Sequence, residues 1–222
     1  MPENSQRHSG AQAGRTPTVH SHWWSVSSSC LANPTGHQRE QLRKGIKGWY
    51  SDDPYGYMAL VPCGRGGQLL GPASVLSIEL TSRSPAQLDL LAALCAHVIS
   101  RTRRRKAPRI YTSYQDVKPL LDLLLGRRTQ RSERRSKFTP LPELEALVQV
   151  LGDEVDNLTT SWKPRRSTVA MKRADDLSRL ARKPNRGIRP DDWTGLGIED
   201  VITMAEALGR LRQRGGRAEE AS

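Results

Sequence analysis

Hydrophobic and polar positions alternate along "ASVLSIELTS" (residues 73–82). Val75, Ser77 and Glu79 fall on one side, and Leu76, Ile78 and Leu80 on the other. That period of two predicts a strand with one buried face. Two earlier apolar runs, Val19 to Ser28 and "YGYMALVP" from Tyr55 to Pro62, predict two more strands, with "CGRGG" (63–67) as turn material. The period then changes. Ser84-Pro85-Ala86-Gln87 reads as a capping box with proline in the first helical position. Leu88, Leu91, Cys95 and Val98 follow at helical spacing, which predicts a helix with one buried stripe. Asp89 falls in its predicted first turn, where a carboxylate is favourable.

A short strand, "IYTS" (110–113), runs into a helix, "YQDVKPLLDLLLG", for which Ser113 is the predicted cap. Pro140 to Asp153 predicts another amphipathic helix, and "VDNLTTSW" (155–162) a strand. "VAMKRADDLSRLARK" places Ala170, Ala174, Leu177 and Ala181 on one helical stripe. A last helix is expected from about Ile198 to Arg212. Three strands, then alternating helices and strands, predict an α/β protein. Its expected core is a mixed five-stranded sheet, an antiparallel meander plus βαβ units, with flanking helices. Residues 1–17 are expected to be a disordered tail, 18–184 the domain, and 185–222 a linker with a C-terminal amphipathic helix.

Charge narrows the partners. The 222 residues hold 35 Lys and Arg against 23 Asp and Glu, a net charge of +12. Such an excess favours polyanions. It concentrates in "RTRRRK" (101–106), "GRRTQRSERRSK" (126–137) and "KPRR" (163–166). The candidate nucleic-acid contacts are Arg103, Arg104, Arg105, Lys106, Arg127, Arg128, Arg131, Arg134, Arg135, Lys163, Arg165 and Arg166. The alternative for such runs is a solvated surface. The three cysteines, Cys30, Cys63 and Cys95, are too few and too far apart for a zinc or disulfide framework. His20 and His22 lack a third ligand. No apolar run approaches a membrane span, and the polar N-terminus lacks the apolar core of a signal peptide, so a cytoplasmic protein is expected.

Four segments carry a family resemblance: "SSSCLANP" (27–34), "SPAQLDLLAAL" (84–94), "IYTSYQDV" (110–117) and "ADDLSRLA" (174–181). In order and spacing they resemble the type 1 ribonuclease H family. The first is similar to its Asp-Gly-Ser strand end followed by Cys-Leu-Gly-Asn-Pro. The others are similar to its glutamate-bearing helix, its "TDSQYV" strand end and its last helix, "DELAR". The resemblance spans roughly residues 19 to 183. It implies a ribonuclease H-like fold, and it implies hydrolysis of the RNA strand of an RNA–DNA hybrid by two Mg²⁺ ions held on four carboxylates.

Matched position by position, those carboxylates correspond to Ser27, Asp89, Ser113 and Asp175. Two of the four are serines. The histidine that many members carry before the last helix is missing, since no His follows His97. Asp89 and Asp175 are therefore the catalytic and metal-binding candidates that remain. A neutral hydroxyl compensates none of the charge of two Mg²⁺ ions. The expected function is an RNA–DNA hybrid or duplex binder whose nuclease chemistry is impaired or lost. One alternative is an active Mg²⁺-dependent endonuclease with an altered site, helped by Asp52 or Asp53. Another is a protein-interaction module using Ile198, Val201, Ile202, Leu208 and Leu211, a face that could equally cover the domain's own core.

Overall fold

The computed structural model describes residues 23–30, 55–80, 84–102, 106–127, 139–182, 193–194 and 197–219. Strands β1 (Trp23–Ser29), β2 (Tyr55–Cys63) and β3 (Ala73–Glu79) form an antiparallel meander. Helix α1 (Pro85–Thr102) crosses over to β4 (Arg109–Thr112), which pairs parallel with β1. Helices α2 (Val117–Leu124) and α3 (Pro142–Leu151) and a 3₁₀ turn (Gly152–Asn157) lead to β5 (Thr159–Trp162), parallel to β4. Helix α4 (Val169–Ala181) follows, then a two-residue strand β6 (Trp193–Thr194), then helix α5 (Ile198–Glu219). The sheet order is β5-β4-β1-β2-β3-β6. The first five strands have the meander-plus-crossover arrangement that a ribonuclease H-like fold implies. β6 adds a sixth, parallel strand beside β3, where a linker was expected.

Helix α4 packs on one sheet face, against β1, β2 and β3. Helix α1 packs on the other face, against β1, β2 and β4, and carries α2, α3 and α5 on its far side. That position corrects the single-stripe expectation for α1. Every residue from Gln87 to Ser100 is buried, because the helix has protein on all sides. The expected alternation in β3 does hold: Leu76 and Ile78 are buried, while Ser77 and Glu79 face solvent. The α5 face also has an owner. Val201 and Ala205 are fully buried in the main core, with Ile198, Ile202 and Leu208 packed against it. Ile198, Val201, Ile202 and Leu208 of the expected protein-docking face are thus turned onto the chain's own core, and the Leu211 side chain lies outside the described residues.

Local chemistry explains two departures at the helix starts. Gln87 does not close a capping box. Its Nε2 donates to the Thr139 carbonyl (3.0 Å) and its Oε1 accepts from the Leu141 amide (2.8 Å). A long-range clamp on the entry to α3 has replaced the local cap. Ser113 does not cap α2 either, because that helix begins four residues later, with Asp116 at its N-cap position.

The turn after β2 positions α4. The Gly67 carbonyl accepts from the Ala170 amide (2.9 Å), and Thr168 Oγ1 caps α4 by accepting from the Met171 amide (3.1 Å). Gly67 has φ +78°, and a Cβ there would stand 2.4 Å from Thr168 Cβ. Both facts require glycine. Gly67→Ala is expected to destabilise the fold by more than about 1 kcal/mol. A urea midpoint that falls at constant m-value checks this, and an unchanged midpoint contradicts it.

Candidate functional site

Two serines and one aspartate meet where β1 and β4 end above the first turns of α1. Asp89 is fully buried and receives three hydrogen-bond contacts. Ser113 donates to Oδ2 from both its amide (2.9 Å) and its hydroxyl (2.7 Å). Ser28 Oγ lies 2.6 Å from Oδ1 and 3.0 Å from the Pro85 carbonyl oxygen. Asp89 sits one turn into α1, whose first turn holds no acidic residue, so a helix-dipole role does not account for it.

Strand parity decides which serine reaches the aspartate. Trp24, Val26 and Cys30 belong to the core on the α1 side. Ser28 has the same parity as these three and points to Asp89. Ser25 contacts the Cys63 thiol (3.5 Å), and Cys63 lies in the second core, with Ala170 and Ala174 of α4. Ser27 shares the parity of Ser25. It is fully buried, and its hydroxyl makes no hydrogen bond among the described residues. Of the four matched positions, Asp89 and Ser113 are therefore in direct contact, with Ser28 beside them in place of Ser27. The signal for Ser28 was present in the alternation Trp24, Val26, Ser28.

Asp175 projects from α4 and is almost fully buried. Cations surround it. Oδ1 lies 3.1 Å from Arg179 Nε and 3.8 Å from Arg165, and Oδ2 lies 3.6 Å from Arg166. Asp176, half exposed, takes Arg166 at 3.3 Å. Arg179 thus pairs with the buried aspartate, and Arg166 reaches both. Arg166 adopts φ +65°, a left-handed conformation that costs a residue bearing a Cβ about 1 kcal/mol or more.

Between the two aspartates lies a cleft of about 240 Å³. Ser28, Ser29, Tyr114, Arg165, Arg179 and Arg182 are among the residues that line it, and no carboxylate of the described residues does. Arg165 donates to the Tyr114 hydroxyl and stacks over that ring, with its guanidinium carbon 4.8 Å from the centroid. Arg182 donates to the Cys30 carbonyl (3.2 Å). Burial raises the Tyr114 pKa above its ordinary value against the opposing pull of Arg165, so the phenol stays neutral. Tyr114, Arg179 and Arg182 are site residues absent from the sequence-based set. Arg179 and Arg182 were legible as the i+4 and i+7 neighbours of Asp175 on one helix edge.

The donors present do not fit a two-Mg²⁺ centre. Mg²⁺ needs anionic oxygens turned toward it. Asp89 has both oxygens engaged by serines, and Asp175 is ringed by guanidiniums. Among the described residues no group of three or more His, Cys, Asp or Glu side chains could hold a metal. Asp52, Asp53, His20 and His22 lie outside the described residues.

The basic runs are only partly placed. Arg103, Arg104, Arg105, Arg128, Arg131, Arg134 and Arg135 also lie outside the described residues. Lys106 is exposed. Arg127 is ion-paired to Asp156 and lies 3.7 Å from Asp122, so its charge is largely matched within the protein. Lys163 sits 5.4 Å over the Tyr111 ring, which stacks on Trp23, and Arg109 covers the Trp23 ring. No described helix is long and apolar enough to cross a membrane.

Comparison with known proteins adds similar folds only. No protein-family model matches the chain, and no curated protein matches it. Among solved structures, the native prototype foamy virus protease-reverse transcriptase is 9% identical over 81% of this chain, with a TM-score of 0.42. The chain spans only 23% of that protein's length. The solution structure of the PFV RNase H domain is 13% identical, with a TM-score of 0.37, over 71% of this chain and 89% of that one. At such scores the fold rests on the strand order and directions given above.

Asp89 makes a pH prediction. Burial raises its pKa above the usual carboxylate value, outweighing the lowering by Ser28, Ser113 and Arg165. The geometry agrees. Ser28 has one hydroxyl proton for two acceptors, and a protonated Asp89 resolves that shortage by donating to Ser28. The folded state then binds more protons than the unfolded state. Stability falls as pH rises from the ordinary carboxylate pKa, about 3.9, toward the raised value. Asp89→Asn removes this slope. Its stability relative to the parent should therefore increase with pH in urea unfolding at a series of pH values. A trend of opposite sign would mean that the hydrogen bonds outweigh burial.

Proposed function

We propose that this chain is a ribonuclease H-like nucleic-acid-binding protein that holds an RNA–DNA hybrid or duplex without cleaving it efficiently. The observation that carries this reading is the lining of the cleft: among the described residues three guanidiniums line it, and neither Asp89 nor Asp175 does. A cleft lined in that way attracts phosphate and repels Mg²⁺. Hydrolysis by this family's chemistry needs a metal-activated water and a metal-stabilised leaving oxygen. Among the described residues none is placed to supply either. Asp89 is committed to Ser28 and Ser113, and Asp175 to its arginines. They retain the capacity to bind and orient an anionic backbone.

The net charge of +12 supports the same reading, because it is what remains after every acidic side chain has been set against a basic one. Lys163, Arg165 and Arg166 lie on the loop from β5 to α4, and Arg165 lines the cleft. The runs at 101–106 and 126–137 would extend the contact along the duplex. Binding of this kind is dominated by phosphate neutralisation and reads little sequence.

Anisotropy titration of a labelled RNA–DNA hybrid over a salt series tests the binding. The expected result is a logarithmic salt dependence of about 0.9 per neutralised phosphate, and the absence of any salt dependence overturns the reading. A cleavage assay with Mg²⁺ and with Mn²⁺ tests the chemistry. No turnover above background is expected. Turnover that Asp175→Ala abolishes would establish the active-endonuclease alternative instead.

A further inference from the structure

Seen as a ligand site, the cleft between the ends of β1 and β4 and the helix α4 has a donor set of its own. Arg165 comes from the loop before α4, Arg179 from its last turns and Arg182 from its C-terminal end, and all three line one concavity of about 240 Å³. Partners already hold each guanidinium in place: Tyr114 for Arg165, Asp175 for Arg179 and the Cys30 carbonyl for Arg182. Each guanidinium has five N–H donors, so these contacts orient it without exhausting it. Tyr114 accepts from Arg165 and keeps its own hydroxyl proton to donate. The volume is below the roughly 300–1,000 Å³ of a site for a drug-sized ligand, which suits a small anion or one backbone unit.

Asp175 explains why three like charges can stand together. Its carboxylate lies behind them, almost out of solvent, and offsets part of their mutual repulsion. Arg166 reaches it from the other oxygen and so helps fix its position. In this arrangement the former metal ligand is a positioning residue for cations.

We propose that this cleft is a metal-independent phosphate site, in which Arg165, Arg179, Arg182 and the Tyr114 hydroxyl bind one phosphate group directly. The nature of that phosphate, a nucleic-acid phosphodiester, rests on the function proposed above. The site itself does not, since inorganic phosphate carries the same chemistry. The guanidiniums take over the role of bound cations in neutralising the phosphate, but they activate no water. The site therefore holds the backbone and leaves it intact.

The full chain in EDTA provides the test, with Arg179→Gln and Arg182→Gln as separate variants. Arg210→Gln serves as control, since it removes one charge from an exposed position on α5. Inorganic phosphate at constant ionic strength should raise the Tm of the parent and of Arg210→Gln, and raise that of the two cleft variants much less. A phosphate-induced shift of equal size in all four proteins overturns the proposal. The labelled hybrid should bind equally well in EDTA and in Mg²⁺. Each cleft variant should bind it about tenfold more weakly near 0.1 M salt, with the logarithmic salt slope reduced by about 0.9. Hybrid binding that disappears in EDTA, or that both cleft variants retain in full, also overturns it. If phosphate acts through the cleft arginines while the hybrid does not bind at all, the site stands and the nucleic-acid function falls.

Discussion

One buried carboxylate holds the working end of this protein together. Asp89 sits on α1, and its partners come from two strands: Ser28 from β1 and Ser113 from the end of β4. An isolated charge in that position would carry a large desolvation cost. Three hydrogen-bond contacts offset the cost, and the raised pKa shows that burial still dominates. The result is a three-way pin that fixes where two strand ends stand relative to the central helix. The cleft opens beside this pin, so its walls inherit the geometry.

The same pin takes Asp89 away from metal chemistry. A carboxylate that binds Mg²⁺ must present oxygens to a wet cavity. Asp89 has both of its oxygens engaged by Ser28 and Ser113 inside the protein. Asp175 is diverted differently, by charge. Guanidiniums stand 3.1 to 3.8 Å from its oxygens, and Oδ2 makes no hydrogen bond among the described residues. Two carboxylates survive at family-like positions, yet each now serves the protein's own structure. Among the described residues, three guanidiniums and neither of these carboxylates line the cleft.

Some of this was legible in the residues. The β3 alternation, the apolar run of β2 and the amphipathic spacing of α4 follow from local periodicity, and the structure keeps them. Other features were not local. The full burial of α1 depends on α2, α3 and α5 lying over it. Gln87 matched a capping box by spacing, but two acceptor and donor groups near residue 140 outcompeted the local bond. Ser113 looked like a cap for α2 until the structure turned its hydroxyl toward a helix 24 residues earlier in the chain.

By itself, the sequence determined the order and type of most elements. Strand and helix periods set that order, and two of the four matched positions carry serine, a neutral side chain, whatever the packing. Tertiary structure decided what the remaining residues do. Parity along β1 selected Ser28 over Ser27, because a strand offers alternate residues to opposite faces and α1 lies on only one. The approach of the β5–α4 loop to the C-terminal end of α4 gathered Arg165, Arg179 and Arg182 around a single cleft. A charge run in the sequence specifies only sign. Whether the charges converge on a ligand or disperse into solvent depends on distances that only the folded chain fixes.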